Sequence, residues 1–517
     1  MAMSAPLAIL YSILVLVASS WLYIRANDKK LKAQPSDVFK AFSPKRYAPE
    51  DFERTEKEDH ERLIEISAQE QLPPKTGRHY IVVGGAGFLG GWIVVHLLQR
   101  GEDPKKIRVF DLRAPQRHDL TTGSAKDVDF ILGDVSDAKS VHAAFSKPWP
   151  GLPADALPEV TVFHTAANIR FYERHVGLLQ NSLVVNVNGT QNVIKSAKAI
   201  GATALVYTSS GSVAVRRTRF WLWPWEASPK HFVQVINDDD NIIPKRHEDF
   251  FSNYAVTKIL AEREVRAANG AFSAGQRILR TGCIRPGNGI FGPGGDMLCG
   301  AYLVRKANPA WIHNILQSFI YVENCSLAHL CYEQRLLELS SPDCSNPDIS
   351  GQAFNVTDPG PPPTYGDVYV GLETLSAGEV NFPALSPTAM LLLAQFIELY
   401  YLARHVFGMK WLPAVNGDLV NLQPSLWALT QVHLIFDDSR ARLPPEKGGL
   451  GYRGRWTTME ALYKLVVEHK AGVSKFDTRA DLGGISLGFG SKVQKGAKKV
   501  NDQVGGALTM DPLHVPN

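Results

Sequence analysis

The segment Tyr80-Ile-Val-Val-Gly84-Gly-Ala-Gly87-Phe88-Leu89-Gly90 runs from a strand-like apolar stretch, through three spaced glycines, into a helix-like stretch reaching Gln99. No other feature restricts the fold of this chain as strongly. Glycines at 84, 87 and 90 let the backbone turn tightly, approach a pyrophosphate with no Cβ in the way, and pack helix on strand. The helix expected from Gly91 then offers its free N–H groups to the anion, with Phe88 and Leu89 in the glycine turn before it. A glycine triplet by itself also serves plain turn geometry. Here a strand precedes it, a helix follows, and an acid stands at the expected distance. That acid is Asp111, closing the next strand, IRVFD. A carboxylate there accepts hydrogen bonds from ribose hydroxyls and repels a 2′-phosphate, which favours NAD over NADP. Arg113 and Arg117 follow closely and can soften that preference. Asp134, in LGDVSD, is placed to reach the adenine, or to cap a helix starting near Ser136.

From His79 onward, short apolar runs alternate with helix-length segments: HYIVVGG, IRVFDL, VDFILGD, VTVFHTAA, ALVYTSS and QRILRTGCIRPG. Such alternation means βαβ units and a parallel sheet buried on both faces. The class expected is therefore α/β, a doubly wound Rossmann domain over 78–286, followed by a smaller substrate domain over 287–472 that contains an apolar segment at 387–412. The formal net charge of +4 over 517 residues is too weak to argue for nucleic acid. Five cysteines without a CxxC pair encode neither a disulfide framework nor a zinc site, so no metal is expected.

A mean hydropathy of −0.11 excludes a polytopic membrane protein but hides one different end. Met1 to Ile24 carries no charge, and Ala5 to Ile24 is apolar enough to cross a bilayer as a helix. Arg25, Lys29, Lys30 and Lys32 follow, so residues 1–30 read as a single anchor with the body on the cytosolic side. A cleaved signal peptide is the competing reading, although its basic n-region is missing. Sequons at Asn188, Asn324 and Asn355 fall inside motifs of the body and read as unused. Residues 31–77 are charge-dense and read as a stalk with an amphipathic helix near Asp51 to Gln69. Residues 473–517 are Gly- and Lys-rich and read as a disordered tail.

Further motifs follow in order: His164-Thr-Ala166-Ala, Asn186-Val-Asn-Gly-Thr190, Tyr207-Thr-Ser-Ser210, Tyr254-Ala-Val-Thr-Lys258 and Arg285-Pro286. With the glycine spacing, they make the chain resemble the extended short-chain dehydrogenase/reductases over about residues 79–360. YTSS, IRPGNGIFGPG, FIYVEN, GQAFNVTD and the late Leu450-Gly-Tyr452 look most like the 3β-hydroxysteroid dehydrogenase branch, which includes decarboxylating sterol-4α-carboxylate 3-dehydrogenases. A tyrosine with a pKa near 10 is a poor base, but an ammonium one helical turn away stabilises its phenolate. Tyr254 is therefore the expected proton-transfer residue, with Lys258 lowering its pKa. The resemblance implies that Lys258 also holds the nicotinamide ribose, and that Ala166 and Pro286 line the cofactor site. Ser210 orients the substrate oxygen, with Ser209 as the alternative. Asn186 resembles a helix asparagine that braces this site, or else satisfies backbone groups. His164 reads as a packed strand-end residue.

The interval between Ser210 and Tyr254 contains Arg216-Arg-Thr-Arg-Phe-Trp-Leu-Trp-Pro-Trp225. Tryptophans beside arginines suit a membrane interface, or equally a cap on the core. Met390 to Phe407 carries Glu398, Arg404 and His405, so an interfacial or substrate-capping helix is expected in place of a second crossing. These features favour a lipophilic secondary alcohol arriving from the bilayer. The resemblance implies a sterol substrate, an endoplasmic-reticulum membrane, and other sterol-biosynthetic enzymes as partners. The alternatives are a reductase of another lipophilic terpenoid and a membrane-tethered scaffold without turnover.

Overall fold

The structure is a computed structural model that describes residues 5–53, 72–153, 155–415 and 417–472. The tail expected at 473–517 and most of the helix expected at 51–69 lie outside the described residues. Helix α1 (Ala5–Leu31) leads to the short helix α2 (Ser36–Phe42). The Rossmann unit then alternates β1 (His79–Val83), α3 (Phe88–Gln99), β2 (Ile107–Asp111), β3 (Asp129–Leu132), α4 (Ala138–Ser146), β4 (Val160–His164), α5 (Gly189–Ala199) and β5 (Ala204–Thr208). It continues through β6 (Val233–Ile236), α6 (Asn253–Ala267), β7 (Ala271–Ser273) and β8 (Arg277–Pro286). Beyond it come α7 (Val322–Glu338), β9 (Ala353–Val356), α8 (Tyr365–Leu375), α9 (Pro387–His405), β10 (His433–Phe436) and α10 (Thr458–Lys470).

The main sheet runs β9-β8-β5-β4-β1-β2-β3, all parallel, with β7 antiparallel on β8. Side chains alternate across it, as the strand period requires. Tyr80 and Val82 of β1 join the core under α3 and α7, whereas Ile81 and Val83 join the core under α4, α5 and α6. Both faces are covered, so β1, β4 and β5 are buried at every position. The chain leaves β3 at one edge and returns at β4 on the other side of β1. This reversal opens a crevice at the carboxyl ends of β1 and β4, where such sheets bind ligands.

Two expected boundaries differ from what is found. Position 286 does not separate two domains: β9 pairs with Cys283–Pro286 of β8, and α7 packs against α3 and β8. The later segment also closes a two-stranded parallel sheet with the earlier one, β6 against β10. Nor are residues 31–53 a free stalk. Leu31 and Phe52 are buried, Arg46 pairs with Asp367 of α8 at 2.5 Å, and Phe52 occupies the space a side chain at Gly371 would need. The charge density that suggests solvation is here met by a partner, and two apolar residues find a groove.

Candidate active site

The glycine loop sits at the carboxyl end of β1. Gly84 has φ +86°, and a Cβ at Gly90 would lie 2.2 Å from the Gly84 carbonyl oxygen, so this turn admits no side chain. Helix α3 begins at Phe88 with Gly87 as its N-cap and no side-chain capping bond, so its first-turn N–H groups are left to an anion. The Ala166 backbone closes the loop from β4: a Cβ at Gly84 would lie 2.7 Å from the Ala166 nitrogen. Asp111 accepts from Ala86 N–H at 3.0 Å, which holds its carboxylate beside the loop. Arg117 is buried, bonded to the Phe88 carbonyl at 3.0 Å and to Asp119 at 2.5 Å, with its guanidinium over the Trp92 ring. Asp134 accepts from the Ser136 N–H and hydroxyl, and the actual cap of α4 is Asp137, not Asp134. A dinucleotide fits this cradle.

Ser210 lies two residues past the end of β5, with its hydroxyl 2.7 Å from that of Ser212, and it hydrogen-bonds Tyr254 of α6. Ser209 is excluded from that role, because it is buried and donates to Glu262 at 2.5 Å. Pro286 closes the same wall from β8: a Cβ at Gly211 would lie 2.9 Å from its carbonyl oxygen. Burial raises the Tyr254 phenol to about 12, opposed by the Ser210 hydrogen bond. The Lys258 ammonium donates to the Thr208 carbonyl at 2.5 Å and lies 4.3 Å from the Tyr207 ring centroid. Burial pushes the lysine itself down to about 7.

That shift has a measurable consequence. Between pH 7 and the ordinary lysine value near 10.4, the unfolded chain holds the proton and the folded chain sheds it. The unfolded state then binds more protons, so this lysine makes stability rise with pH across that window. Chemical denaturation of the native chain and of Lys258→Met at pH 7 and pH 10 is expected to show the native chain gaining on the variant at the higher pH.

Several groups that hold the site in place were not visible in the sequence. Asn253, just before Tyr254, donates from its backbone to the Glu173 carbonyl and from its side chain to the His175 carbonyl. Glu173 in turn accepts from Tyr401 of α9 at 2.8 Å, and Arg174 bonds Glu398 of α9 with both nitrogens at 2.5 Å. The apolar helix is thereby tied to the rim of the site. Asn186 lies in a π turn, Val184–Asn188, and its amide bonds both backbone groups of Asn168 and the Thr257 hydroxyl. Such turns cluster at functional sites but have no sequence signal. His164 is buried, 2.9 Å from the Thr190 hydroxyl, with burial lowering its pKa to about 3; it is a packed neutral residue. Of the three sequons, Asn324 and Asn355 are fully buried, whereas Asn188 is exposed, contrary to expectation.

Comparison with known proteins gives the family of the chain. Residues 81–374 match the sequence model of the 3-beta hydroxysteroid dehydrogenase/isomerase family. The chain is 29% identical over 394 residues to the 3beta-hydroxysteroid-dehydrogenase/decarboxylase isoform 2 of Arabidopsis thaliana, covering 73% of this chain and 59% of that protein. It is 31% identical over 299 residues to the decarboxylating sterol-4-alpha-carboxylate 3-dehydrogenase of Candida albicans, covering 54% and 70% respectively. It is 30% identical over 294 residues to the human 3 beta-hydroxysteroid dehydrogenase type 7, covering 56% and 70%. Among solved structures, the UDP-glucose 4-epimerase of Thermotoga maritima aligns with a TM-score of 0.49 at 16% identity, over 76% of this chain and 99% of that one. A strand, glycine turn and helix backed by Asp111, facing a Ser210–Tyr254 pair, and a family match across more than half of the residues lead to one conclusion: the chain belongs to the 3-beta hydroxysteroid dehydrogenase/isomerase family of oxidoreductases, which act on CH–OH groups.

Proposed function

We propose that the protein oxidises the 3β-hydroxyl of a sterol with NAD, and that its substrate carries a 4α-carboxylate lost as carbon dioxide after oxidation. The observation that carries the reading is the hydrogen-bonded Ser210–Tyr254 pair, set against the same apolar cluster that contains Phe220, Leu222, Leu391 and Leu429. An alcohol oxygen between the two side chains is oriented by Ser210 and gives its proton to the Tyr254 phenolate, which the Lys258 ammonium and the positive nicotinamide would stabilise, while the apolar cluster receives the ring system. When bound, the nicotinamide supplies the hydride acceptor and a positive charge. Lys258 keeps the carboxyl end of β5 in place through Thr208. After oxidation a 4α-carboxylate stands β to the new ketone, and the electron pair of the breaking C–C bond passes to the ketone oxygen, which Ser210 and Tyr254 hold. The helix α1, long and apolar enough to cross a membrane, and its basic flank support a single-pass anchor in the endoplasmic reticulum with the body cytosolic.

The test is turnover of the full chain in lipid nanodiscs, with 4α-carboxysterols and 4-unsubstituted 3β-sterols, against NAD and NADP. Oxidation and carbon dioxide release with the 4α-carboxysterol and NAD are expected. Oxidation confined to unsubstituted sterols removes the decarboxylation step, and NADPH-dependent carbonyl reduction without sterol oxidation overturns the reading. Asp111→Ala is expected to shift the NAD/NADP ratio of kcat/KM roughly tenfold toward NADP, which corresponds to ~1.4 kcal/mol.

A further inference from the structure

Helix α9 is apolar on both its inner and its outer face, unlike a helix on a water-facing surface. Met390, Leu391, Ala394 and Ile397 pack into the core together with Glu398 and Tyr401, yet Leu392, Leu393, Phe396 and Leu399 point outward. Phe396 and Leu399 are each 64% exposed. Past the helix, Trp411 is 80% exposed, and on the loop between β5 and β6 Trp223 and Trp225 are 58% and 77% exposed, their rings stacked 5.3 Å apart. Apolar surface this extensive and contiguous marks an interaction site.

What covers it follows from α1. Tyr23 donates to the Leu222 carbonyl, and Asn27 donates to the Phe220 carbonyl and the Thr388 hydroxyl. Asp28 accepts from Thr388 N–H at the start of α9, and Lys30 donates to the Trp223 and Pro224 carbonyls. The last turns of α1 are therefore clamped between the tryptophan loop and α9, while its earlier residues project away and are exposed. The distance along the axis from Trp21 to Lys30 is roughly 14 Å at ~1.5 Å per residue. Any membrane that takes up the apolar part of α1 thus meets the tryptophan loop and the outer face of α9 at its surface. Arg25, Lys29 and Lys32 at the same exit suit the phosphate layer.

We propose that the outer face of α9, Trp223, Trp225 and Trp411 form one docking surface that lies in the plane of the phospholipid leaflet from which α1 emerges. Helix α9 does not cross the bilayer, because its other face is fastened to the body by the Glu398–Arg174 and Tyr401–Glu173 bonds. The inner face of α9 belongs to the apolar cluster that packs against Tyr254, so one helix borders both the proposed surface and the apolar wall of the site. This inference does not depend on which alcohol the site oxidises.

The experiment places p-benzoylphenylalanine at position 396, 399 or 225 of the full chain in phosphatidylcholine/phosphatidylserine nanodiscs, with position 272 as control. Phe272 is 68% exposed at the amino end of the sheet, opposite the carboxyl ends that carry the site. Photolysis is expected to give phospholipid adducts at 396, 399 and 225 roughly tenfold above those at 272. Three sites tolerate the loss of any one variant to misfolding. Lipid adducts no higher than at 272, or crosslinks to a second copy of the chain in place of lipid, overturn the proposal.

Discussion

Replacing Tyr254 by phenylalanine is expected to lower kcat for alcohol oxidation by about a thousandfold, in the middle of the range that a positioned acid–base group contributes. The substitution removes one oxygen and leaves the ring packed against the cluster it borders. Dinucleotide affinity, measured by titration, and the melting temperature are expected to stay close to those of the native chain, because the glycine loop lies on other elements. The size of the loss has a physical reason: the Tyr254 oxygen is the group placed to take the proton, beside an apolar wall, and Ser210 is the group hydrogen-bonded to it. Retention of more than a tenth of the native rate overturns the assignment of Tyr254 and revives the non-catalytic scaffold. Loss of nucleotide binding along with the rate points to a folding defect.

Breaking the buried ion pair behind the site is expected to have the largest effect on stability. Arg285 of β8 bonds Glu262 of α6 through two nitrogens, at 2.9 and 2.6 Å, and both side chains are almost wholly buried. Glu262 also accepts from Ser209, so one carboxylate joins α6, β5 and β8 directly behind Ser210. Removing one partner leaves a buried charge without compensation, which costs about 3–5 kcal/mol. In Glu262→Gln the arginine keeps its bond to Asp240 at 2.7 Å, so the lower end, ~3 kcal/mol, is expected, with a fall of about 3 °C in melting temperature. The apolar pair Glu262→Leu with Arg285→Met is expected to recover part of that loss, since burying two ions is itself costly. A single variant as stable as the native chain shows that water reaches the pair.

Much of the site was legible because its chemistry is local. Strand, glycine turn, helix and a strand-end acid follow from spacing and residue type, and so does the Tyr254–Lys258 pair on one helix face. The choice between Ser209 and Ser210 was not legible: neighbouring strand residues point to opposite sides, and only the position of Glu262 shows which one is taken. The second contact of Lys258 was not legible for a related reason: helix spacing places its ammonium one turn from a phenol, but the Thr208 carbonyl is brought in from another strand. The domain boundary at 286 failed because a four-residue strand, Ala353–Val356, carries too little periodicity to announce that it rejoins the sheet.

The N-terminal region divides the same way. Twenty uncharged residues and a basic flank determine by composition alone that α1 can cross a bilayer, since the cost of apolar surface in water needs no tertiary partner to be read. The sequence likewise determined the α/β alternation, the phosphate loop and the residue types of the active site. Only the tertiary structure decided that residues 31–53 lie against the body, that Asn27 and Lys30 fasten α1 to the tryptophan loop and α9, and that α9 turns its apolar side outward. Those are long-range pairings, made by side chains hundreds of positions apart, and their energies depend on burial and geometry that no local pattern encodes.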